Sequence, residues 1–157
     1  MSDKPVPTLF EWIGGAPIIE RWFSVFYAKV PSDPVLAPVF ARMAPEHVQH
    51  VSAFVSEVFG GPRTYSERLG GHPHMLERHV GRKLTEAQRA RWMQLLLQCA
   101  DEVGIPSDPE FRSALVAYLE WGTRIAVLTS ASTSIEGGPS SMPSWGWGEV
   151  KGPFVPK

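Results

Sequence analysis

Apolar residues recur at steps of three and four along most of this chain, and no stretch alternates in the way a strand requires. Ile18, Ile19, Trp22, Phe23, Phe26, Tyr27 and Val30 form one such face. A helix is predicted from Pro17, whose missing N–H suits a first turn, to about Val30. Pro31 and Pro34 break it, and a short segment follows around Val35–Phe40. A second long helix is predicted from about Pro45 to Phe59, with His47, His50, Val51, Phe54 and Val58 on one stripe. Gly60-Gly61-Pro62 stops it. Gly70-Gly71-His72-Pro73 opens a short helix ending at His79, where Gly81 prevents continuation.

Thr85-Glu86-Ala87-Gln88 matches a capping box, in which the Thr hydroxyl and the Gln side chain satisfy free backbone N–H groups. The helix it opens carries Trp92, Leu95, Leu96, Cys99 and Val103 on its apolar side, and Gly104 caps its end. Ser107-Asp108-Pro109 starts the last helix, with Phe111, Leu115, Tyr118, Leu119, Gly122 and Ile125 turned inward. Substantial helices joined by short connections imply an all-α sandwich or bundle. From Ser130 to Lys157 the text turns to Ser, Gly and Pro, a composition that builds no core of its own. That extension is expected to be mobile or loosely docked, with Trp145, Trp147 and Phe154 as its docking residues.

At 157 residues the chain is expected to fold as one domain. Its 15 basic and 16 acidic side chains leave a formal charge of −1, which gives no field to hold a phosphate backbone, so nucleic-acid binding is disfavoured. The first residues lack the basic and apolar regions of a secretory signal, and no apolar run approaches a membrane span. The lone Cys99 reads as an apolar core residue, and thiol-only usage fits the cytoplasm.

The chemistry lies in the histidines. His47/His50 and His72/His74 lack a cysteine or a convincing third ligand, so a structural zinc site is weak. A lone imidazole at a helix end facing an aromatic-lined slot is instead what five-coordinate haem iron requires. The stripe through Val51 and the short helix carrying Met75 and His79 could clasp a flat apolar macrocycle, His79 on one face and His47 near the other. Tyr27 and Trp92 come from two further helices and could reach the free side of an iron.

The order of several short motifs makes the picture more specific. GGA at Gly14–Ala16, FYAKV at Phe26–Val30 and VLAPVF at Val35–Phe40 come first. GGPRTYSE at Gly60–Glu67, GHP at Gly71–Pro73, RH at Arg78–His79 and RARW at Arg89–Trp92 follow. In these the chain resembles a group II truncated haemoglobin, the 2-on-2 helical sandwich variant of the globin fold, over about residues 8–129. The resemblance implies haem b (iron protoporphyrin IX) with His79 as the proximal iron ligand, its second ring nitrogen bonded to a backbone carbonyl. It also implies Tyr27 and Trp92 as distal residues and Phe40 wedged against the haem edge. Matching forward from Phe54 puts His47 at the distal gate and Val51 one turn deeper, whereas matching from Phe40 would put Val48 there. The first register lines up Val51, Phe54 and Val58, and is preferred. Propionate positions fall at His50, Tyr65 and Arg78.

Such a pocket is expected to bind dioxygen, carbon monoxide or nitric oxide. Hydrogen bonds from Tyr27, Trp92 and His47 would slow release, which argues against oxygen delivery. A haem-dependent oxidative enzyme, acting as a nitric oxide dioxygenase or peroxidase-like catalyst, is the alternative, and a haem-free interaction module is a third reading. His47 could also take the sixth site itself. A reductase partner is implied without being identified, and a monomer and a homodimer are both compatible.

Overall fold

The computed structural model describes residues 5–133 and 141–154, which are helical with no strand among them. The first helix, α1 (Leu9–Ile13), has a reciprocal cap between Thr8 and Glu11. Gly14 and Gly15 then turn the chain into α2 (Ala16–Lys29), which has Pro17 in its first turn. Turns over residues 33–42 lead to α3 (His47–Val58). Two short helices follow, α4 (Thr64–Arg68) and α5 (Gly71–Glu77), and then two long ones, α6 (Glu86–Val103) and α7 (Pro109–Ala131). The Thr85/Gln88 box caps α6, Gly104 ends it in the left-handed region, and the Asp108 carboxylate accepts the Phe111 amide to cap α7.

Helix α2 packs on both α3 and α6, and α6 packs on α7, which gives the truncated-globin sandwich of two helix pairs. Trp22, Phe23, Phe26, Phe59, Phe111 and Leu96 are fully buried at the centre. The Trp22 indole donates to the Leu96 carbonyl oxygen at 2.8 Å, so a core ring also ties α2 to α6 without an unpaired N–H. Gly61 permits the closest approach between segments. A Cβ there would lie 2.7 Å from the Phe10 ring and 2.8 Å from the Ser56 carbonyl oxygen.

Two features depart from the sequence reading. Helices α1 and α4 are five residues each, too short for a hydrophobic period to show. The helix expected to end at His79 stops at Glu77, and His79 sits in the turn that follows. That turn closes through Gly81 (φ +76°), whose amide donates to the Ser132 carbonyl oxygen at 3.1 Å. Lys83 and Leu84 add amide bonds to Ser130, so the loop carrying His79 is tied to the end of α7.

Residues 141–154 of the extension lie against the helices. Trp147 is buried against Trp12 and Phe111, and its indole donates to the Pro7 carbonyl oxygen at 2.8 Å. Trp145 packs on Tyr118 and Trp121, and its indole donates to Ala114 O. Its amide donates to the Val58 carbonyl oxygen at 2.9 Å, satisfying one of the open acceptors at the end of α3. Phe154, expected to help dock the segment, is 84% exposed. The rest of the expected extension, residues 134–140 and 155–157, lies outside the described residues.

Candidate functional site

One cavity is lined by every candidate residue named from the sequence. His79 and Met75 come from the α5 region, and Val51, Phe54, His47 and His50 from α3. Tyr27 comes from α2, Phe40 from the 33–42 turns, and Trp92 from α6, with Tyr65 and Arg78 completing the set. Val48 is not among the lining residues, so α3 turns His47 inward.

His79 is oriented and kept neutral by its neighbours. Its Nδ1 lies 2.8 Å from the Met75 carbonyl oxygen. A carbonyl only accepts, so Nδ1 carries the proton and Nε2 keeps its lone pair for the cavity. Burial holds the ring's pKa below its ordinary value, opposed by the Met75 bond and assisted by Arg82 and Arg78, so the imidazole is neutral.

The other side chains form a chain of their own. Trp92 donates to the Tyr27 hydroxyl, which in turn lies 3.0 Å from His47 Nε2. Tyr27 is buried, and desolvation raises its pKa far above the ordinary phenol value despite the Trp92 bond, so it stays protonated. His47 is pushed down to about 4, first by burial and then by the positive charge of Arg78 and its neighbours. It too is neutral near pH 7. Phe40 fixes this arrangement through ring contacts with Tyr27 at 5.4 Å and His47 at 5.9 Å.

At the rim, Arg78, Arg82 and His50 supply cationic or donor groups beside the buried Tyr65, which stacks edge-on against Phe54 at 5.0 Å. Arg82 did not stand out in the sequence. Nor did Asp33, a buried carboxylate that accepts the amides of Val35 and Leu36 and the Arg91 guanidinium at 2.6 Å. Although desolvation opposes it, this donor set holds the Asp33 carboxyl below its usual range. The clip fixes the start of the turns that deliver Phe40. An Asp accepting amides two and three residues on is legible in a sequence, but its partner 58 residues away is not.

A neutral histidine with a free Nε2, apolar walls and a cationic rim together fit a haem group. The bacterial-like globin family profile matches residues 8–122. The chain belongs to that family. As a globin, it has a haem-binding fold. Group 2 truncated haemoglobin YjbI of Bacillus subtilis is 29% identical over 110 residues, covering 70% of this chain and 81% of the relative. The group II truncated haemoglobin of Bacillus anthracis superposes with a TM-score of 0.70 at 28% identity, over 86% of this chain and 98% of that one. The truncated oxygen-avid haemoglobin of Bacillus subtilis gives 0.67 at 29% identity, over 77% and 99%.

Proposed function

We propose that this globin holds haem b through His79 Nε2 and reversibly binds dioxygen and related diatomic ligands, including carbon monoxide and nitric oxide, releasing them slowly. The observation that carries this reading is the pairing within one cavity of a carbonyl-oriented neutral imidazole with the Trp92–Tyr27–His47 chain. Haem iron held by a single imidazole supplies an open coordination position for a diatomic molecule. His50, Tyr65 and Arg78 would hold the propionates, and Phe40, Val51, Phe54 and Met75 would pack the macrocycle.

The chain's own groups decide what meets the ligand. Trp92 Nε1–H is spent on the Tyr27 oxygen. Neutral His47 has two tautomers. With the proton on Nδ1, Nε2 consumes the Tyr27 O–H. With the proton on Nε2, His47 donates to the same phenol oxygen and leaves the Tyr27 O–H free. An incoming acceptor selects the second tautomer, because it gains a bond while none is lost. Tyr27 is therefore the donor to the ligand, and Trp92 and His47 support it by donating to its oxygen. The same bond occupies His47 Nε2, the nitrogen that would have to reach the sixth site, so the ferric resting state is expected to be high-spin. That the Bacillus subtilis relative is described as oxygen-avid supports slow release.

Absorption spectra of the purified protein in ferric, ferrous and carbonyl forms test the reading. A Soret band with histidine-ligated carbonyl features is expected, and His79→Ala should abolish that ligation. An unchanged fifth ligand in His79→Ala would refute the assignment.

A further inference from the structure

Neither Asp33 nor Arg91 lines the cavity, yet their contact joins two segments that both reach the Tyr27 phenol. Asp33 follows α2 after the short helical turn Val30–Ser32 and is 6% exposed. Its Oδ1 accepts the Val35 and Leu36 amides at 3.1 and 3.0 Å. Leu36 is buried on the cavity wall, and its carbonyl oxygen accepts the Phe40 amide at 3.3 Å. That arm ends on the Phe40 ring, which stands edge-on to Tyr27. The other oxygen, Oδ2, accepts Arg91 Nε–H at 2.6 Å. Arg91 immediately precedes Trp92 on α6. The Trp92 indole donates to the Tyr27 hydroxyl, and its ring meets Phe26 at 5.6 Å. Both arms of one carboxylate therefore end on the same phenol.

A surface ion pair would hold these segments less firmly. Lys29 and Glu102 also tie α2 to α6, but both are exposed, where solvent screens the attraction and long side chains keep their freedom. Asp33 is buried and has three donors on its two oxygens, so displacing either arm leaves a buried charge short of a partner. Small shifts at this point are resisted. They matter at the far end, because a hydrogen bond weakens steeply once its donor is misaligned.

We propose that Asp33 is a positioning residue for the distal donor. Through Arg91 it sets how the Trp92 N–H meets the Tyr27 oxygen, and through Leu36 it holds the Phe40 ring against that phenol. The effect on a bound ligand rests on the haem reading, whereas the effect on the Trp92–Tyr27 bond does not.

Two variants cut the Arg91 arm alone. Asp33→Asn keeps an oxygen for the Val35 and Leu36 amides but turns an amide N–H toward the guanidinium. Arg91→Gln removes the cation from a side chain that is 31% exposed, so the fold survives the change. Arg91→Lys returns a cation within reach of Asp33. In the full-length carbonyl protein, NMR should show the Trp92 indole N–H exchanging with water roughly ten-fold faster in the first two variants, and Arg91→Lys should restore most of the protection. The Trp22 indole N–H, which joins α2 to the same helix through Leu96, should keep its wild-type rate throughout. The C–O stretching band should move in both variants in the direction that Tyr27→Phe moves it. Wild-type exchange at Trp92 in both variants would overturn the proposal. Equal acceleration at Trp22 would also overturn it, because Asp33 would then only stabilise the fold. An unmoved band beside faster Trp92 exchange overturns it too, since the displacement would not reach the donor. If the purified protein forms no carbonyl, the haem reading falls, and indole exchange in that protein alone decides the role of Asp33.

Discussion

A hydrogen bond in the distal cluster matters less for its strength than for the donor it leaves free. Because Trp92 and Tyr27 act in series, their effects on oxygen release should not add. Tyr27→Phe removes the donor, and about 1 kcal/mol net corresponds to roughly five-fold faster release. Trp92→Phe removes only the support and should have a smaller effect. In the Tyr27→Phe background the Trp92 N–H is unengaged and free to serve the ligand, so adding Trp92→Phe should then cost more than it does alone. Stopped-flow oxygen release across the four proteins measures that coupling, and independent increments would show that the two residues act separately. His47 makes a second residue-level prediction. Its folded pKa is about 4 against an ordinary 6.5, so between those values the unfolded chain binds the proton and the folded one does not. His47's contribution to the stability of the haem-free chain is therefore full above about pH 6.5 and is lost as pH drops toward 4, and it amounts to no more than about 3 kcal/mol and less because solvent reaches this half-buried ring. Thermal unfolding of His47→Gln between pH 8 and pH 4.5 should show a shallower decline than wild type, and parallel curves would contradict the neutral-histidine assignment.

At the level of elements, the sequence was most legible where one local signal decides a boundary. Thr85 and Gln88 specify the start of α6 in both the reading and the structure, and Thr85→Ala should cost about 1 kcal/mol, roughly a 2–4 °C fall in Tm. A Tm within error of wild type would mean that α6 does not depend on its cap. The position of His79 was legible as a residue but not as an element. Its turn is fixed by bonds from Gly81 and Lys83 to Ser132 and Ser130, some fifty residues on, and no local pattern encodes such contacts. The Asp33–Arg91 clip was invisible for the same reason, while each half was in plain view, Arg91 inside the RARW motif. The mutual engagement of Tyr27, His47 and Trp92 could not be read either. Helical periodicity says which side chains face inward, but not which inward-facing donors find each other.

For the whole molecule, the packed helices and the segment lying on them reach past the family-matched residues. The family match stops at residue 122, yet α7 runs on to Ala131 and residues 141–154 return to cover it. Ser, Gly and Pro dominate the extension, and two indoles are few for a segment of this length. They suffice because each sits in a prepared place: Trp147 between Trp12 and Phe111, Trp145 over Tyr118 and Trp121, each indole N–H donating to a backbone carbonyl. The contacts join parts that are otherwise distant in sequence, namely Pro7 ahead of α1, Val58 at the end of α3 and Ala114 in α7. Removing a buried indole from such a site costs about 3 kcal/mol or more, so Trp147→Ala should lower Tm by roughly 6–12 °C. A chain ending at Thr133 should lose at least as much. Because Pro143 also walls the cavity, that chain should release haem to an excess of a high-affinity acceptor globin faster than the full-length protein does. Trp147→Ala separates the two effects: its indole lines no part of the cavity, so it should lower Tm while leaving haem loss closer to wild type. Equal Tm and equal haem loss for the full and shortened chains would show that the family-matched segment is self-sufficient and that the extension only rests on it.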